Sequence, residues 1–161
     1  NNAGQAKIKG LEIEWEALLS EHFRFSGNYA YLDTEIEEFG TNVAAVGGRL
    51  PGSPKHTFSM NAEYTYPIGD SGELSVRGTY KSIGQFNDDA PALDITDVPK
   101  HDIFDGRIAY RSDHGYEIAF WGKNIFDETY VLQVYDVAGS GYNLFAPPRT
   151  WGVTVSWRWG E

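Results

Sequence analysis

A chain of 161 residues is long enough for one domain with a sizeable core, and its formal net charge of -10 is the wrong sign for nucleic acid, whose phosphates need a basic surface. It has no Cys, which excludes disulfides and thiolate metal sites, and no apolar run near the roughly 18 residues of a membrane helix. Aromatic residues make up 15% and Gly numbers 18, so the composition points to a β-rich protein whose Tyr and Trp sit where apolar and wet regions meet.

The opening NNAGQAKIKG has no apolar stretch of signal-peptide type and leads straight into a strand pattern, so the chain is expected to be a fragment or a mature piece of something longer. Period-two alternation then recurs almost throughout. In AKIKGLEIEWEAL, Leu11, Ile13, Trp15 and Ala17 share one face, and Glu12, Glu14 and Glu16 the other. After the short turn LSEH, FRFSGNYAYLDTEI sets Phe23, Phe25, Tyr29 and Tyr31 against Arg24, Ser26, Asn28 and Ala30. A long polar loop is expected over residues 37–55. HTFSMNAEYTY sets Phe58, Met60, Ala62, Tyr64 and Tyr66 against Thr57, Ser59, Asn61, Glu63 and Thr65, and PIGDSG turns the chain. ELSVRGTYKS sets Leu74, Val76 and Tyr80 against Glu73, Ser75, Arg77, Thr79 and Lys81. A second long loop, acidic and Pro-containing, is expected over 84–100. DIFDGRIAYRS sets Phe104, Ile108 and Tyr110 against Asp105, Arg107 and Arg111; SDHG turns tightly; YEIAFWGKN sets Tyr116, Ile118 and Phe120 against Glu117, Ala119, Trp121 and Lys123. A third long loop is expected over 131–146. The closing RTWGVTVSWRWGE sets Trp151, Val153, Val155, Trp157 and Trp159 against Gly152, Thr154, Ser156 and Arg158.

The pattern predicts an all-β fold: an antiparallel up-and-down meander of about seven strands, each near the roughly 10 residues of a tilted membrane strand. Short turns and long loops alternate strictly. Such a sheet is either a soluble sandwich with an apolar core or part of a larger transmembrane β-barrel with its apolar face in lipid. Two features favour the barrel. The polar face is rich in Gly, Ser, Thr, Asn and Ala, with Arg on most strands, as suits a water-filled or plugged interior. On the apolar face, aromatics gather towards strand ends around an aliphatic middle of Leu11, Ile13, Val76, Ile108, Ile118 and Val153. Trp15, Tyr64, Tyr110, Trp157 and Trp159 are the expected membrane-belt aromatics.

Four stretches, in order, resemble the C-terminal part of TonB-dependent outer-membrane receptors: AKIKGLEIEWEAL, GGRLPGSPKHTFSMNAEY, FWGKNIFDETY with Lys123, Asn124, Phe126, Asp127 and Tyr130, and PPRTWGVTVSWRW from Pro147, Pro148 and Arg149. The resemblance covers essentially all of residues 1–161, with no domain boundary inside it. It implies the C-terminal segment of a barrel of about 22 strands, whose plug domain, earlier strands and TonB-engaging N-terminal segment are not in this chain. Family chains commonly stop on an aromatic residue; here Trp159 is followed by Gly160 and Glu161. The implied function is TonB-energised uptake of a scarce ligand, such as a ferric siderophore or an oligosaccharide, across the outer membrane of a Gram-negative bacterium. The implied partners are outer-membrane lipid, TonB and the small-molecule ligand. A passive porin-like or surface-binding barrel and a soluble ligand-binding sandwich remain as alternatives.

Nothing in the chain spells catalysis. His22, His56, His101 and His114 fall at turns or strand ends, and no HExxH, GxSxG or Walker sequence occurs. No cofactor and no metal are expected. The acidic loop with Asp88, Asp89, Asp94 and Asp97 lacks EF-hand spacing and reads as a solvated loop. Glu12, Glu14, Glu16, Arg24, Arg77, Arg107, Lys123 and Arg158 are the expected lumen-facing charges, forming cross-strand and plug-facing ion pairs. Tyr135, Tyr142 and Phe145, beside flexible glycines in the third long loop, are the candidate ligand contacts.

Overall fold

The computed structural model describes residues 4–158. The strands in chain order are β1 (Gly4–Ser20), β2 (Phe23–Phe39), β3 (His56–Pro67), β4 (Gly72–Ile83), β5 (Phe86–Asn87), β6 (Asp97–Val98), β7 (His101–Ser112), β8 (Tyr116–Lys123), β9 (Val131–Val137), β10 (Ser140–Phe145) and β11 (Thr150–Trp157). Seven of them form one sheet in the order β1-β2-β3-β4-β7-β8-β11, every neighbouring pair antiparallel. The expected meander of seven strands is what forms. Its connections alternate as expected: two residues between β1 and β2, then a long loop, then short turns after β3 and β7 with long loops after β4 and β8.

The register fixes the faces, because residues directly opposite each other in an antiparallel pair project to the same side. One row runs Phe23, Tyr64, Val76, Ile108, Phe120, Val153. The adjacent row on the other face runs Arg24, Glu63, Arg77, Arg107, Trp121, Gly152. The apolar row begins at the first residue of β2 and ends in the middle of β11. Strand ends therefore step past one another across the sheet, the stagger that a closing barrel requires.

Among the described residues, nothing covers the apolar face. Val153 is 65% exposed, Val155 67%, Ile108 49% and Ile118 46%. The buried hydrophobic residues among those described are Ile36, Ala45, Val98, Ala109, Ala119 and Val134. None of these lies on that face: Ala109 and Ala119 oppose each other beneath the charged side chains of the polar face, and the others lie in or under the long loops. A sandwich would bury the apolar side chains against a second sheet, gaining about 1.5–3 kcal/mol for each large one. Here a solvent must do that.

Three expectations change. The first two strands are 17 residues long, well beyond the roughly 10 of a membrane strand, and β2 continues to Phe39. Pairing with β3 stops at Tyr31–His56, so the last eight residues of β2 pair with β1 alone. Polarity inverts at that point. Beyond the Leu11–Tyr31 pair, the side continuous with the apolar face carries Lys9 opposite Asp33 and Lys7 opposite Glu35. The other side carries Ile8 opposite Thr34 and Ala6 opposite Ile36. The loop after β2 folds back there: Ile36 N donates to Gly48 O at 2.8 Å, Gly47 N to Ile36 O at 2.8 Å and Leu32 N to Lys55 O at 3.0 Å. Ile36 and Thr34 are buried beneath it, and Leu50 N donates to Thr34 Oγ1 at 3.0 Å.

The third long loop is a hairpin, not an irregular segment. β9 and β10 are joined by Ala138 and Gly139, both at positive φ (54° and 81°), the two-residue turn that suits strand twist. Asp136 Oδ1 caps it by accepting from Gly139 N at 2.8 Å. The second long loop contains the small β5–β6 pair. Both were hidden because their strands are short and lack a repeated alternation.

Candidate ligand and membrane surfaces

On the polar face the cations and carboxylates interleave. Arg24 lies 3.4 Å from Glu16, Arg77 2.8 Å from Glu63, and Arg107 2.5 Å from Glu117. Arg111 bridges Glu117 (3.1 Å) and Glu73 (2.6 Å). Arg77 and Arg107 stand directly opposite each other, a repulsive pairing, and each turns to a Glu on its far side. The Arg24–Glu16 pair is exposed and contributes at most about 1 kcal/mol, whereas Arg107–Glu117 is half-buried; together the pairs fix where charge sits. Glu12 and Glu14 have no cation within 4 Å among the described residues, and they lie on β1, an edge of the sheet. Lys123 sits 5.8 Å from the centre of the Trp121 ring. The Trp121 indole lies across Gly152 and donates to Thr154 Oγ1 at 3.2 Å. Arg158 follows β11 directly and its N–H donates to Gly115 O at 2.8 Å.

On the apolar face, Tyr64 and Tyr110 lie near the short-turn ends of β3 and β7, and Trp157 ends β11, 5.9 Å from Tyr116. Trp15 differs from its expected belt position. It sits midway between Leu11 and Leu19, its ring laid across Gly27 and 5.8 Å from Phe58. Its indole N–H is buried without a hydrogen-bond partner among the described residues, whereas a belt tryptophan keeps that group wet. Gly27 on the opposite strand has no side chain, so the large ring settles there. Trp159 lies outside the described residues.

The stretch KNIFDETY ends β8 and anchors the third long loop. Asn124 (φ 51°) and Asp127 (φ 58°) both adopt the left-handed conformation, which Asn and Asp tolerate better than most residues. The buried Asn124 amide donates to Glu128 O and accepts from Glu128 N, both at 2.9 Å. Its backbone N–H donates to Asp105 Oδ1 on β7 at 2.8 Å. Asp127 Oδ1 accepts from Arg149 N at 2.9 Å, so the segment also holds the entry to β11. Tyr130 stacks on His101, with 4.5 Å between ring centres, and its carbonyl accepts from Ala146 N at 3.0 Å. Burial, aided by the Asp105 carboxylate, pushes the Tyr130 hydroxyl above its ordinary pKa, so it stays neutral in this stack.

In the acidic loop the carboxylates hold the loop itself. Asp97 accepts from Asn87 Nδ2 at 2.8 Å, and Asp88 Oδ2 accepts from Val134 N at 2.7 Å, which ties the second long loop to the third. Asn87 also accepts from Thr96 Oγ1 at 2.8 Å and Asp89 N at 2.9 Å; nothing in the local pattern marks Asn87 as this hub. Tyr135 and Tyr142 are brought together, directly opposite on one face of the β9–β10 hairpin, with Val137 and Leu144 beside them and all four exposed. The opposite face carries buried Val134 and packs Gly141 against Ile95. Phe145 is not part of the pair; it stands across a register shift, opposite Val131 at the foot of the hairpin.

A single antiparallel sheet with staggered rows, an uncovered apolar face, a charged opposite face and loops long at one end only defines a segment of a transmembrane β-barrel. The family model described as TonB dependent receptor-like, beta-barrel, matches residues 1–125, and the chain belongs to that family. An uncharacterised TonB-dependent receptor of Haemophilus influenzae is 28% identical over 134 residues, covering 79% of this chain and 38% of that protein. The ferrichrome outer membrane transporter/phage receptor of Escherichia coli K12 is 28% identical over 140 residues, covering 84% of this chain and 18% of that protein. The chain thus spans well under half the length of these relatives. The fold matches the crystal structure of the ferric yersiniabactin uptake receptor of Yersinia pestis with a TM-score of 0.86 at 19% identity, over 96% of this chain and 24% of that one.

Proposed function

We propose that the chain forms the C-terminal seven strands of an outer-membrane receptor that takes up a ferric chelate with energy supplied through TonB. The observation that carries this is the uncovered apolar face backed by a charged one, in a chain whose relatives include a ferrichrome transporter. The apolar face lies in lipid. Glu12, Glu14, Glu16, Arg24, Arg77, Arg107, Lys123 and Arg158 face the lumen, where Glu12 and Glu14, which pair with no cation among the described residues, meet cations from a plug or from the neighbouring strand. The long loops stand outside the cell, and the paired Tyr135 and Tyr142 offer an aromatic surface to the chelate. TonB engages a part of the receptor outside these residues.

The test is radiolabelled iron uptake by cells expressing the full receptor under iron limitation, with and without TonB. Uptake should need TonB and should weaken when Tyr135 and Tyr142 are both replaced by Ala. Uptake that proceeds equally without TonB would favour a passive porin-like barrel instead.

A further inference from the structure

The three long loops are joined through two neighbouring residues of the second. Asn87 O accepts from Gly52 N of the first long loop at 2.9 Å. The next residue, Asp88, accepts from Val134 N of the third at 2.7 Å, through its carboxylate. The first loop is in turn rooted on β2, where Thr34 Oγ1 lies 3.2 Å from Ser53 Oγ and Gly47 N donates to Ile36 O at 2.8 Å. The Asn87 side chain holds the second loop in shape: it donates to Leu93 O at 2.7 Å and to Asp97 Oδ1 at 2.8 Å, and accepts from Thr96 Oγ1 and Asp89 N. Thr96 and Val98 are fully buried there. Asp88 N donates to Thr96 O at 3.1 Å, which fixes the backbone that carries the carboxylate.

We propose that Asn87 and Asp88 are positioning residues that make the three long loops one lid over the mouth of the barrel, with the Asp88 carboxylate as the latch on the β9–β10 hairpin. Three observations carry it. Among the described residues, the Asp88–Val134 bond is the one hydrogen bond that crosses from the second long loop to the third. It joins a carboxylate to a backbone N–H, a strong kind of pair, and Val134 is buried, so water is a poor substitute for that acceptor. The hairpin also fits the second loop closely: Gly141 lies against the Ile95 carbonyl with no room for a Cβ. Finally, the hairpin leaves the barrel wall at a narrow foot, where Ala146 N donates to Tyr130 O at 3.0 Å, so its tilt is set by what its body touches. The latched face is the one opposite Tyr135 and Tyr142, and the latch therefore leaves that aromatic pair free for the chelate. The role given to the two tyrosines rests on the transport reading; the coupling of the loops does not.

The experiment is hydrogen exchange of the full receptor in detergent micelles, read by mass spectrometry on peptides from the hairpin (131–145) and from the first long loop (47–53). D88A should speed exchange in the hairpin about tenfold or more and leave the first loop as in the parent. N87A, which unties the second loop itself, should speed both. D88N keeps a side-chain oxygen that accepts from Val134 N and should exchange like the parent. D94A removes an exposed carboxylate from the same loop and should change nothing. The urea midpoint of the barrel should match the parent in all four variants, since local opening of a loop leaves the wall intact. Hairpin exchange unchanged by D88A, N87A acting on one loop alone, D88N or D94A as fast as D88A, or a lowered urea midpoint in D88A would each overturn the proposal. TonB-dependent iron uptake is scored separately. Uptake that needs TonB in a receptor whose hairpin ignores D88A sinks the latch alone; a latched hairpin in a receptor that takes up iron without TonB sinks the transport proposal alone.

Discussion

Asn124 shows how one residue holds three elements. It sits in the left-handed region, its side chain closes two hydrogen bonds with Glu128, and its backbone N–H reaches Asp105 on β7. Replacing it with Ala removes both hydrogen bonds to the Glu128 backbone and forces a Cβ-bearing residue without a polar side chain into positive φ. The expected cost is about 2–4 kcal/mol. Gly at the same position keeps the conformation and should recover roughly 1–2 kcal/mol of it. Urea unfolding of the receptor in phospholipid vesicles reads this directly, and equal midpoints for the Ala and Gly variants would contradict the backbone part of the account. The sequence flags this position through the KN-F-D–Y spacing, yet the reason for the spacing is invisible there, because Asp105 and Arg149 come from distant parts of the chain.

At the level of the strand, the two faces of β8 and β11 carry opposite tolerances. Val153 and Ile118 lie mid-strand on the exposed apolar face, and Thr154 lies on the other. Arg at Val153 or Ile118 should cost about 2–4 kcal/mol if these positions face mid-bilayer. Arg at Thr154 loses the Trp121 hydrogen bond and should cost about 0.5–1.5 kcal/mol. Equal destabilisation at the two kinds of site, in the same vesicle assay, would reverse the assignment of faces. Glycines add a second constraint. Trp151 lies across Gly122 on the apolar face and Trp121 across Gly152 on the polar one, leaving no room for a Cβ at either glycine. Val at Gly152 should displace the Trp121 ring and cost about 1–3 kcal/mol by overpacking, seen as a lower urea midpoint.

For the whole molecule, the tryptophans report depth as well as face. Variants that keep one Trp each, refolded into vesicles whose acyl chains are brominated near the bilayer centre, should show strong quenching for Trp15 and weaker quenching for Trp157. Trp121 should be quenched by aqueous iodide instead. Quenching of Trp157 above that of Trp15 would sink the mid-strand placement of Trp15. The same scale separates what was legible from what was not. Alternation along each strand is a local property: the pleat sends successive side chains to opposite sides, so faces such as Leu11-Ile13-Trp15 against Glu12-Glu14-Glu16 follow from residue order alone. Turn lengths are local too, which is why the seven-strand meander could be read in advance. Register is not local. Which Glu meets which Arg, that Trp15 lies over Gly27, and that β1 and β2 run past their neighbours with inverted polarity all depend on pairing between residues far apart in the chain. The hairpin formed by β9 and β10 was equally hidden, since it is tied by Val134 N to Asp88 in the second long loop, far away in the chain. Residue order alone yields a sheet with one apolar and one charged face; that the apolar face stays uncovered among the described residues follows from long-range packing, because no single strand carries the information on whether a second layer exists to bury it.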